Sequence, residues 1–250
     1  MKLTFRIEYR TAWGESIGVM LQGQENSPIM LGTSDGIVWE GSEEMTDAPA
    51  GVPLTYRYGV FLDGQCNRRE SGTMAHIFCP SKKQKSHYIL NDTWKDLPMA
   101  SHLYSAAFSG NYSLENAPKD QCTGQGDIVF RALCPCLHHR KQILGICGRE
   151  EQLGYWNPDR AICMEEIQAN EWVATLPIKD LKFPLEFKFV AINASTGKVE
   201  EWEMGNNRHL HINDLRKGEI FCTNEMEVQF GSMSRKVAGT AIPVFSLRSE

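Results

Sequence analysis

Short runs in which apolar and polar residues alternate recur along the chain, set apart by clusters of Gly, Asn, Asp and Pro, while helical periodicity is hard to find. Alternation places successive side chains on opposite faces of an extended backbone, so each run predicts a half-buried strand. Strands are predicted over residues 2–9, 16–21, 54–62, 127–133, 142–147, 172–177 and 183–192. In the last run Phe183, Leu185, Phe187 and Phe189 form an every-other-residue apolar set, which turns Glu186 and Lys188 to the other face and makes Lys188 accessible.

Strands at this spacing suit an all-β protein built as two tandem immunoglobulin-like antiparallel β-sandwiches. At 250 residues the chain is long enough for two domains with a core each. Residues 111–126, rich in Asn, Gly, Pro and Asp with few apolar residues to bury, read as a linker between a first module at 1–110 and a second at 127–224. An internal repeat supports the division. Trp13-Gly14-Glu15-Ser16-Ile17-Gly18-Val19 lies over Arg140-Lys141-Gln142-Ile143-Leu144-Gly145-Ile146 without gaps, Tyr56-Arg57-Tyr58 falls opposite Phe187-Lys188-Phe189, and Arg69-Glu70 falls opposite Trp202-Glu203.

A formal net charge of -5 argues against a nucleic-acid backbone as the main partner, and the one cluster of lysines, at 82–85, reads as a solvated loop. No run reaches membrane-spanning length, and the opening Met1-Lys2-Leu3-Thr4-Phe5-Arg6-Ile7 alternates instead of forming the apolar core of an export signal. Eight irregularly placed cysteines then point to free thiols and a cytoplasmic location. Cys134-Pro135-Cys136-Leu137-His138-His139 has metal-ligand residue types but not the spacing of a ligand knuckle, so no metal and no cofactor are expected. The pairs Glu43-Glu44, Glu150-Glu151, Glu165-Glu166 and Glu200-Glu201 read as solvated or divergent neighbours, and no catalytic residue is assigned.

The chemistry that stands out is aromatic. Trp156 follows Leu153-Gly154-Tyr155 and precedes Asn157-Pro158, a turn composition that offers a large ring to solvent. Further on, Glu201-Trp202-Glu203-Met204-Gly205-Asn206-Asn207-Arg208 supplies a second indole with a carboxylate and an amide. Two indole faces held at an angle match the apolar face of a bent glucan, with Lys188, Glu203 and Asn207 to bind its hydroxyls. Strand alternation puts Trp202 and Glu203 on opposite faces, so both reach one ligand only if the strand ends or bulges there. Trp39, Trp94 and Trp172 have no such companions and are assigned to packing.

The pieces Leu-Gly-x-Trp, aromatic-Lys-aromatic, Trp-Glu and Asn-Arg in the second module resemble the starch-binding domains of carbohydrate-binding module family 20. The resemblance implies a first starch site on Trp156, Lys188, Trp202, Glu203 and Asn207. It places Arg140 where the family's second site has an aromatic residue, and Trp13 at that position in the first module. The first module has no tryptophan after Leu31-Gly32 and carries Arg69-Glu70 in place of Trp-Glu, so its first site is expected to be lost. Each module would keep about one site, on different faces, giving avidity for a long α-1,4-glucan such as starch, glycogen or maltodextrin. The Tyr9-Arg10-Thr11-Ala12-Trp13-Gly14-Glu15 opening resembles the amino-terminal region of family 77 4-α-glucanotransferases, and residues 241–250 resemble the opening of their catalytic barrel. Residues 225–250 are therefore expected to begin a truncated barrel, and the chain to bind glucan without transferring it. The competing expectation is a spacer that orients that barrel or builds an oligomer.

Overall fold

The alternating runs fold as strands. The structure is a computed structural model that describes residues 1–45, 52–70, 75–80, 87–95, 126–135, 137, 140–168, 170–179, 181–212 and 218–232. The first repeat supplies β1 (Lys2–Glu8), β2 (Glu15–Leu21), β3 (Ile29–Met30), β4 (Val38–Glu44), β5 (Leu54–Leu62), β6 (Gln65–Arg69), β7 (His76–Phe78) and β8 (His87–Thr93). The second supplies β9 (Asp127–Leu133), β10 (Gln142–Gly148), β11 (Ile162–Cys163), β12 (Glu165–Gln168), β13 (Glu171–Pro177), β14 (Leu185–Asn193), β15 (Val199–Trp202), β16 (Arg208–Leu210) and β17 (Glu219–Glu227).

The repeat read from the sequence is a repeat of strand pairing. β2 lies antiparallel to β5 with Glu15 opposite Leu62, and β10 lies antiparallel to β14 with Gln142 opposite Asn193. In each module such a pair centres a small sheet, β3-β2-β5-β6 with β7 beside β5, and β11-β10-β14-β15 with β16 beside β14. The partner layer is common to both modules, one seven-stranded sheet in the order β12-β13-β9-β17-β8-β1-β4. Within it β17 runs parallel to β8 on one side and to β9 on the other. Separate antiparallel sandwiches were expected; the all-β sandwich architecture stands, but the modules share a layer and its central pairings are parallel.

Strand alternation explains how one sheet serves two cores. Ile220 and Cys222 of β17 pack with Leu3, Phe5, Ile7, Val19 and Tyr58 of the first module. Phe221 between them packs with Ile128, Phe130, Leu144, Phe187 and Phe189 of the second. Neighbours on a strand point to opposite faces, so the two small sheets cover opposite faces of the shared layer. β17 runs through Glu227, and Val228 and Phe230 are buried in the second core, so this module continues past 224. The linker residues 111–125, the lysine cluster at 82–85 and the barrel-like residues 241–250 lie outside the described residues. Trp39 and Trp172 are buried in the two cores as packing residues, and Trp94 packs on Tyr9 with ring centroids 4.4 Å apart.

Candidate functional site

The Trp156 turn grows out of the end of β10. Residues Glu151–Leu153 form a single 3₁₀ turn, anchored by fully buried Leu153, and Gly154 closes it with φ 83°. Tyr155 and Trp156 follow in the same left-handed region, at φ 54° and 59°. Such backbone is strained for residues with a side chain, and strain of this kind collects where a side chain must be aimed. The Trp156 N–H returns to the Gly148 carbonyl at 2.7 Å, and the Asn157 side chain accepts from the Asp159 N–H, capping the next turn, Pro158–Arg160. The turn is thereby pinned at both ends while its ring lies half-buried.

The second ring comes from the sheet. On β14, Leu185, Phe187 and Phe189 enter the core, and the alternate residues Glu186, Lys188, Val190 and Ile192 face outward. Cys147, Val190 and Ile192 form a small buried apolar patch on this outer face, and Trp202, paired opposite Val190, packs on it. The Trp156 and Trp202 ring centroids stand 6.2 Å apart with their planes tilted by 41°. Both rings are half-buried, and Trp202 is braced from beneath by the patch.

Polar groups line the same strip. Lys188 directs its Nζ to the carbonyls of Glu203 at 3.1 Å and Gly205 at 2.7 Å, holding the loop after β15 against β14. An ammonium has three donors, so one is left for a ligand. Asn207 is exposed and donates from Nδ2 to Glu186 Oε1 at 2.7 Å, which leaves its carbonyl oxygen facing out of that bond. Arg149 approaches the other Glu186 oxygen at 3.8 Å.

Glu203 is placed differently from the others. β15 ends at Trp202, as joint access required, but the Glu203 carboxylate turns inward and is 5% exposed. It accepts the Phe189 N–H at 2.9 Å and the Arg208 Nε at 2.9 and 3.1 Å. Its oxygens tie the loop to the core strand, and no ligand reaches them in this arrangement. Trp13 belongs to the other module, in the turn ahead of β2, where it is fully exposed; the turn is closed by the Ala12 N–H to Glu15 carboxylate bond of 2.8 Å and the Glu15 N–H to Ala12 carbonyl bond of 3.1 Å. Arg140, at the corresponding position of the second module, pairs with Glu201 at 3.6 Å. The structure thus brings Trp156, Trp202, Lys188 and Asn207 together, turns Glu203 beneath them, and leaves Trp13 apart.

Three contributors were missed in the sequence. Tyr155 is 59% exposed beside Trp156, with the Arg160 guanidinium 5.9 Å from its ring centre. Glu186 orients Asn207, and Arg208 satisfies Glu203. The outward phase of β14 was a usable signal for Glu186; nothing local signalled that Arg208 would fold back five residues.

Residues 127–220 match the family model described as a starch binding domain. That segment covers the tryptophan pair, Lys188 and Asn207, and its family is the one the sequence motifs pointed to. Along the whole chain there is similarity to the 4-alpha-glucanotransferase DPE2 of Oryza sativa subsp. japonica, 26% identical over 273 residues. The match takes in 99% of this chain but 28% of that relative's length. Among solved structures, a family 15 glucoamylase from Hypocrea jecorina overlaps 47% of the chain and 19% of its own, at 17% identity and a TM-score of 0.35. The family 20 module of a maltotetraose-forming amylase from Pseudomonas saccharophila overlaps 38% of the chain and 98% of its own, at 19% identity and a TM-score of 0.29.

Proposed function

We propose that this chain is a non-catalytic α-1,4-glucan-binding tandem whose principal site is the Trp156–Trp202 platform of the second module. The observation that carries the reading is the ring pair, 6.2 Å between centroids and tilted by 41°, with Trp202 packed on an apolar patch. Successive glucose faces along a curled glucan stack on the two rings, contributing contact area, while the remaining Lys188 donor and the Asn207 carbonyl orient the hydroxyls. Glu203 acts from beneath as a positioning residue. Trp13 offers a separate exposed ring on the first module. The similarity to a 4-alpha-glucanotransferase supports a targeting role, in which the tandem holds a catalytic barrel of the same longer protein near starch, glycogen or maltodextrin.

The test is Trp156→Ala in the whole chain, read by β-cyclodextrin calorimetry with circular dichroism as the fold control. Loss of one stacked ring is expected to weaken binding by about tenfold or more, equivalent to about 1.4 kcal/mol. Unchanged affinity refutes the platform. Electrophoresis in amylose-containing gels separates binding from a pure spacer role, since a spacer is not retarded.

A further inference from the structure

We propose that the two modules form one cooperative unit in which the β8 edge of the first is a dedicated docking surface for the last strand of the second, sealed by a buried cluster of ionic side chains. The corner that carries the tryptophan pair in the second module has become, in the first, an interface. This inference does not depend on sugar binding.

The repeat itself shows the conversion. Glu203 accepts the Phe189 N–H at 2.9 Å, and Glu70, at the matching position of the first module, accepts the Tyr58 N–H at 2.7 Å. The clamp is the same; what surrounds it differs. In the second module the clamp is completed by Arg208, and Trp202 lies next to it on the outer face. In the first, His76 completes it at 2.9 Å and also contacts Glu225 of β17 at 2.8 Å through its other ring nitrogen. Two carboxylates facing both nitrogens require the doubly protonated ring, a cation.

Around His76 the cluster draws on both modules. Asp92 of β8 accepts the hydroxyls of Tyr56 and Tyr58 at 2.8 and 2.7 Å and meets the guanidinium of Arg131 from β9. Lys95 reaches Glu225 at 3.1 Å, and Arg131 also donates to the Thr223 carbonyl. Glu70, Asp92 and Glu225 therefore face His76, Lys95 and Arg131, and every one of these residues is at least nine-tenths buried. The ligand atoms of His76, Asp92 and Glu225 lie within 4.8 Å of one another, as a cation site would have them. Arg131 and Lys95 already bring positive charge to the Asp92 and Glu225 carboxylates, so the geometry is that of an ion cluster.

The backbone agrees. β17 pairs directly with β8, Ile220 beside Tyr88 and Cys222 beside Leu90, and fills the first core with Ile220 and Cys222 while giving Phe221 to the second. In return Ile89 of β8 packs on the second core and Val129 of β9 on the first. Separating the modules uncovers both cores and breaks the buried pairs Arg131–Asp92, His76–Glu225 and Lys95–Glu225, a far larger penalty than parting two beads on a tether.

The test uses the full chain. Calorimetry is expected to show one transition with equal calorimetric and van't Hoff enthalpies. Native-state hydrogen exchange is expected to give one shared opening for core amides of β2 and β10. Arg131→Lys, which keeps the charge but loses the planar fork, should lower that transition by several degrees and speed exchange in both modules together. Two separate transitions, or a variant that loosens β10 while β2 keeps its protection, overturn the proposal. If the variant fails to fold, the unmutated chain's calorimetry and exchange decide the question alone.

Discussion

At the residue scale, surface and core are divided between neighbours in the chain. Trp202 faces out and Glu203 faces in, and Lys188 holds the loop that follows by donating to the Glu203 and Gly205 carbonyls. Glu203→Ala leaves the buried Phe189 N–H unpaired, which costs roughly 1–3 kcal/mol. Glu203→Gln keeps an acceptor for it and should recover part of the loss, measurable as two melting temperatures below the parent with Gln the higher. If Glu203 were instead a direct sugar contact, both variants would lose β-cyclodextrin affinity with little change in melting. Lys188→Ala is expected to do both, weakening binding several-fold and raising hydrogen exchange in the 203–207 loop. The aromatic identities of this site were legible in the sequence because tryptophans in Gly, Asn and Pro surroundings are conspicuous. The opposed facing of Trp202 and Glu203 followed from strand alternation; the partners of the inward carboxylate did not, since they are the backbone of a strand fourteen residues earlier and a side chain five residues later.

At the element scale, the site depends on how two segments end. β15 stops at Trp202 after a register shift against β14 between Ala191 and Ile192, and Glu203 still donates its N–H to the Phe189 carbonyl at 3.0 Å, so alternation carries its side chain to the face opposite Trp202. The Trp156 turn depends on Gly154: its φ is 83° and an added Cβ would lie 2.7 Å from the Arg160 carbonyl oxygen. Gly154→Ala is expected to destabilise by about 1–3 kcal/mol and to misplace Trp156, lowering both melting temperature and β-cyclodextrin affinity. A variant that kept both would show that the turn tolerates a side chain and does not set the ring. Predicted strands 54–62 and 127–133 match β5 and β9 in extent. β8 and β17 escaped notice. Their apolar residues serve two cores on opposite faces, and Asp92 and Glu225 stand among them, so neither run reads as a plain amphipathic strand.

At the scale of the whole molecule, the shared sheet ties stability to pH. Burial alone would lower His76, but the charges of Glu225 and Asp92 outweigh it and raise the ring from 6.5 to about 9. A group raised on folding contributes fully below its unfolded value, and the contribution disappears as pH climbs through the folded value. The His76 contribution, roughly 3 kcal/mol at most, is therefore present below pH 6.5 and lost toward pH 9. Glu171, raised by burial from 4.5 to about 7 against the pull of Lys95, acts in the same direction between those values. Glu225 acts the other way: burial would raise it, His76, Lys95 and Arg131 outweigh that and hold it well below 4.5, and its contribution is lost only in acid. The melting temperature is expected to be highest in mildly acidic solution and to fall steadily from pH 6 to pH 10. A flat or rising profile over that range contradicts the charged His76 cluster.

What the amino-acid order determined by itself is local and periodic: the strands whose one face meets a core, the repeat of strand pairing, and the turn composition that keeps Trp156 out of the core. Each follows from contacts within a few residues or from a pattern that hydrophobic burial imposes along a strand. The tertiary structure decided the rest, including which carboxylate supports the site from within and how β17 joins both modules. Those outcomes depend on partners such as His76 and Glu225, or Arg131 and Asp92, which meet only when the sheet closes. A buried charge has no fixed role until its counter-charge is in place, and no local pattern along the chain records where that counter-charge will arrive.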